Sequence, residues 1–98
     1  MYLDDVAAAV RTHIPSDVDV PPDSEHLFLL YAVLVRAKGR TVTDEDVHDA
    51  WVAWMRARGE DHDAMVPFAA LSESARAQDV PFAEAIRRAA SDHPDAAS

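Results

Sequence analysis

The chain has 98 residues, 49% apolar and 28% charged, which is material for one small core and excludes both a second domain and a disordered chain. Eighteen acidic against nine basic side chains leave a formal charge of −9, which disfavours direct binding to DNA or RNA phosphates. No cysteine is present, so disulfides and thiolate metal sites are excluded.

The opening stretch "MYLDDVAAAVRTHIP" carries acids where a signal peptide would carry Lys or Arg. Its periodicity predicts a helix from Leu3 to His13, with Val6 and Val10 facing inward beside Leu3 and Ile14. "IPSDVDVPPD" follows, and three prolines there end any helix. Ser24 or Asp23 then caps a second helix that runs to Lys38, with Gly39 as its terminating glycine. Its apolar run, Leu27 to Val35, has nine residues against the roughly 20 that cross a bilayer. A soluble, cytoplasmic protein without a membrane partner is expected.

Leu27, Leu30, Tyr31 and Leu34 make one face of the second helix, and Phe28, Ala32 and Val35 extend the apolar surface most of the way round. Such a helix is either central in the fold or shared with another chain. Helix one offers only a narrow stripe to cover it. Phe28, Ala32 and Val35 are therefore the expected interface of a homodimer or protein partner.

"TVTDEDVHDAWVAWMRARG" predicts the third helix, capped by Thr43 with Asp46 as the reciprocal partner and stopped by Gly59. Val47, Trp51, Trp54 and Met55 recur at helical spacing. A polar turn leads to a short extended segment around residues 64–68, held open by Pro67. Ser72 caps a short helix, and Asp79 caps the last, which has Pro81 in its first turn and Phe82, Ala85, Ile86 and Ala89 on its inner face. The expected fold is an all-α bundle of four to five helices, one domain over residues 1–90, with a flexible tail over 91–98.

No pattern in the chain carries catalysis. Glu45 and His48 have a Glu-x-x-His spacing, but a di-iron bundle needs two such motifs and further glutamates. Asp61-His62-Asp63 reads as a polar loop, and no metal or cofactor is expected. There is no nucleophile elbow, and the two glycines, Gly39 and Gly59, have helix-ending roles that leave none for a phosphate loop. The expectation is a non-enzyme. Trp51 and Trp54 have two readings. Either both anchor the core, with His48 bonded to a backbone carbonyl, or one indole borders a cleft and stacks a planar ligand such as a nucleobase, with His48 or His62 as a polar contact.

At these residues the chain resembles the ryanodine-receptor repeat (RyR) domain. That family carries a "vHxxW" helix, an "HPxLVPYxxL" segment and a closing "D…A(I/V)xxL" helix. The matches are Val47, His48 and Trp51; His62, Met65, Val66, Pro67, Phe68 and Leu71; then Asp79, Ala85 and Ile86. They span about residues 43 to 90, in the family's order. "RARGED" stands where the family has a longer "GWxYG" loop. The resemblance implies a non-enzymatic helical module. Free-standing bacterial and phage relatives are associated with sensing nucleotide-like ligands in stress or anti-phage signalling. The excess of Arg over Lys and the abundant Ala suit a GC-rich bacterium or its phage. On that likeness His48, Trp51, His62 and Phe68 are the ligand-binding positions, and Val66, Pro67 and Phe68 close the core. The alternative is an acidic protein-interaction module, including a nucleic-acid mimic.

Overall fold

The computed structural model describes residues 2–92, and every regular element in them is helical: α1 (Tyr2–Thr12), α2 (Glu25–Ala37), α3 (Asp44–Ala57), α4 (Glu73–Ala77) and α5 (Val80–Asp92). Single 3-10 turns lie at Gly39–Thr41 and Phe68–Ala70. No helix among the described residues is long and apolar enough to cross a membrane.

Helix α2 is the centre. It packs against α1, α3 and α5, and its buried stripe is Leu27, Phe28, Tyr31, Ala32 and Val35. The interface expected at Phe28, Ala32 and Val35 is therefore corrected: these residues are 1%, 0% and 0% exposed and are covered within the chain. The physical reason lies in the alanines. Ala7 joins Val6 and Val10 on the inner face of α1, and α5 presents Ala83, Ala85, Ala89 and Ala90 around Ile86. Small side chains let these helices approach α2 closely, so few residues cover much surface. Arg11 completes the cover, its guanidinium 4.1 Å from the Phe28 ring centroid. Leu30 and Leu34, expected on the inner face, are only partly buried beside the core.

The third helix begins as its sequence dictates. The Asp46 N–H donates to Thr43 Oγ1 at 3.2 Å and the Thr43 N–H donates to Asp46 Oδ2 at 2.9 Å, a complete capping box. Lys38 Nζ also reaches Asp46 Oδ1 at 2.7 Å, tying the end of α2 to the start of α3. Partial burial pushes the Asp46 carboxyl up, but the Lys38 and Thr43 hydrogen bonds outweigh it and hold the group below its ordinary value. At the other end Glu60 N–H bonds Met55 O and Gly59 N–H bonds Arg56 O, with Gly59 at φ 70°. This is a Schellman ending, and the left-handed position is why a glycine stands there.

Other expected caps differ. Ser24 occupies the N-cap position of α2, but its side chain makes no cap bond and is instead buried beside Arg11 Nη2 at 3.5 Å. Ser72 does cap α4, its Oγ accepting from the Ala75 N–H at 3.2 Å. The link over 64–68 is a turn and a bend leading to the 3-10 turn, with Pro67 extended at φ −54°, ψ 143°. Val66 and Pro67 are exposed, correcting the expectation that they close the core. Without a neighbouring strand the segment offers its backbone, not its side chains, to the interior. Leu71 is buried and Met65 packs against the core in their place. The tail expected from residue 91 is corrected at its start. Ser91 and Asp92 are helical, and Asp92 Oδ2 lies 2.6 Å from His13 Nε2. Residues 93–98 lie outside the described residues.

Candidate functional site

Helix α3 sets His48 and Trp51 one turn apart on one face, while Trp54 turns inward to 5% exposure under the Arg58 guanidinium. His48 is 2% exposed, and its Nε2 lies 2.6 Å from Val66 O. A carbonyl only accepts, so Nε2 carries the proton and donates. That bond pins the 58–67 loop against α3. Within the loop the Ala64 N–H donates to His62 Nδ1 at 3.0 Å, which leaves the neutral ring's proton on Nε2, facing away from the backbone. The fixed His62 ring meets Trp51 edge-on, with centroids 5.4 Å apart at 85°.

The four expected ligand residues thus form one row of rings. Phe68 lies 6.1 Å from His48, His48 5.9 Å from Trp51, and Trp51 5.4 Å from His62. His48, Trp51 and His62 also line a single cleft of about 470 Å³. Phe68 does not line it. It stands behind His48, with the Arg76 guanidinium 5.4 Å from its own centroid, and acts as a support. Arg76 Nη2 donates to Ala69 O at 2.7 Å, holding the 3-10 turn to α4.

Leu27 and Tyr31 of α2 and Phe82 of α5 give the cleft an apolar floor. Ala75 and Gln78 also line it, as do Val18, Asp19 and Pro21 of the proline-rich link. Asp79, at the junction of α4 and α5, lines the same cleft. It was expected as an N-cap, and its carbonyl does accept the Ala83 N–H, but its Oδ2 is buried with no hydrogen-bond partner. Burial pushes its carboxyl up to about 6; the nearby His48 works against this and the charge of Asp44 adds to it. Tyr31, tilted against Phe82 at 5.9 Å, has its phenol pushed above the ordinary value by burial and then by Asp79.

An ionised carboxylate in this position opposes folding. The folded-state value is raised, so between about pH 4 and 6 the unfolded chain ionises first and stability falls as pH rises, levelling above that window. Asp79→Asn is therefore expected to stabilise the protein by about 1 kcal/mol at neutral pH, after discounting for its half-exposure, and to make no difference near pH 4. Urea unfolding at the two pH values checks both the gain and its disappearance.

Among the described residues no three His, Cys, Asp or Glu side chains converge as a metal ion would require. Glu45 is exposed on α3 while His48 is buried, so their spacing does not make a pair of ligands. Asp79 and Tyr31 are parts of the site that nothing in the sequence marks as such. The local signal at Asp79 is that of any acidic helix start, and Tyr31 carries the periodicity of a core residue.

No curated protein and no solved structure shows a significant match to the chain. One family model does match, over residues 1–91. The chain belongs to that family, the domain of unknown function DUF7701.

Proposed function

We propose that the chain is a non-enzymatic binding module whose cleft takes a small planar, nucleobase-like ligand against Trp51, as a sensor or a sequestering protein. One observation carries the reading. Trp51 and His48 on α3 and His62 in the following loop reach a single concave site, and both histidines are held in place by backbone hydrogen bonds. Rings fixed beside an apolar floor suit an aromatic ligand, because stacking loses little side-chain freedom on binding. The resemblance to the ryanodine-receptor repeat points to the same three residues, and with it to nucleotide-like signals in stress or phage defence. The alternative of a partner docking on α2 has lost its surface, since Phe28, Ala32 and Val35 are covered.

Thermal-shift screening against nucleobases, nucleosides and nucleotides tests the proposal. A ligand at 100 times its Kd adds roughly 2.7 kcal/mol of stability. Trp51 is only partly buried, so Trp51→Ala should remain folded and lose the response. A panel without any shift, or an equal shift in Trp51→Ala, would contradict it.

A further inference from the structure

The cleft has a distinct electrostatic character. Its titratable lining comprises Asp19, Asp79, Tyr31, His48 and His62, with no Lys or Arg among the lining residues. Arginines are not lacking in the chain. Arg40, Arg87 and Arg88 line a separate hollow against Glu84. A nucleotide phosphate placed in the cleft would meet carboxylates without a cation to balance it, in a protein of net charge −9.

Two of the polar groups in the wall are already engaged. His48 Nε2 is engaged with Val66 O and His62 Nδ1 with the Ala64 N–H. Asp79 Oδ2 is an acceptor without a donor. A buried acceptor left unpaired is costly, and a ligand that supplies a donor to this carboxylate offsets part of that cost. Asp79 also lines the cleft with Trp51, so the indole and the carboxylate border the same space.

We propose that Asp79 selects the ligand. The cleft takes an uncharged or cationic planar heterocycle presenting an amidine-type edge, a ring N–H beside an exocyclic amino group, and it rejects rings bearing an anionic edge. The proposal rests on the planar-ligand reading above and narrows it from nucleotides to bases and nucleosides with such an edge, any phosphate staying outside the cleft. The carboxylate accepts from this N–H edge, and no covalent chemistry is involved.

Three flat probes of nearly equal size separate the possibilities: 2-aminobenzimidazole, 2-methylbenzimidazole and benzimidazole-2-carboxylate. Calorimetric titration into the wild-type protein at neutral pH and low salt is expected to show the amino compound binding about tenfold or more tightly than the methyl compound, with the carboxylate weakest. In Asp79→Asn the preference for the amino over the methyl compound should collapse to within about twofold. Equal wild-type affinities for the amino and methyl compounds would overturn selection by Asp79 while leaving the planar-ligand reading standing. A preference that persists in Asp79→Asn would do the same, with a melting curve confirming that the variant is folded. If none of the three binds the wild-type protein at millimolar concentration, both proposals fall.

Discussion

Phe28→Ala is expected to lose about 3–5 kcal/mol, enough to unfold much of a domain this small. Phe28 is 1% exposed, meets Tyr31 edge-on at 5.2 Å and carries the Arg11 guanidinium on its face at 4.1 Å. Truncation opens a cavity between α1 and α2 that the rigid backbones of two packed helices cannot close. It also removes the aromatic contact that orders Tyr31 in the floor of the cleft. Urea unfolding gives the value directly. A loss below about 1 kcal/mol would mean that Phe28 faces solvent or a partner rather than the core.

The second large effect is expected at His48. Its side chain is almost fully buried, and its Nε2 provides the bond to Val66 O at 2.6 Å that fastens the loop. His48→Ala should cost about 2–3 kcal/mol, combining a lost buried hydrogen bond with a small cavity. The loop consequence distinguishes this from a core mutation. With the Val66 anchor gone, the 58–67 loop should loosen, and the Ala64 amide, bonded to His62 Nδ1, should exchange with solvent faster than the amides of α2. His48→Gln, which keeps an N–H donor, should recover part of the stability. Equal exchange at Ala64 in wild type and His48→Ala would show that the loop is held by other contacts.

How far the fold was legible depended on the range of the interactions that decide each feature. The third helix could be read closely because its signals are local: Thr43 and Asp46 bond each other across three residues, and Gly59 takes the positive φ that ends it. The coverage of α2 could not be read, because it depends on how closely alanines on α1 and α5 let those helices approach. Composition reports those alanines without saying what they face. Val66 shows a different limit. Its apolar type suggests burial, yet the fold uses its carbonyl and leaves its side chain outside. The site divides the same way. His48, Trp51 and His62 stand out by residue type and spacing. Asp79 joins them only because the α4–α5 junction folds back across the cleft, a tertiary placement with no mark in its neighbours.

Whether a planar ligand sits against Trp51 can be measured directly on the two indoles of the chain. In a ¹⁵N-labelled sample the side-chain N–H resonances of Trp51 and Trp54 are followed while guanosine, which has the amidine-type edge, is added. Trp51 borders the cleft, whereas Trp54 is 5% exposed and does not line it. A saturable shift of the Trp51 indole is expected, accompanied by the backbone resonances of His62 and Asp79, with the Trp54 indole unmoved. A spectrum unchanged at millimolar guanosine, or one in which Trp54 moves and Trp51 does not, would contradict it.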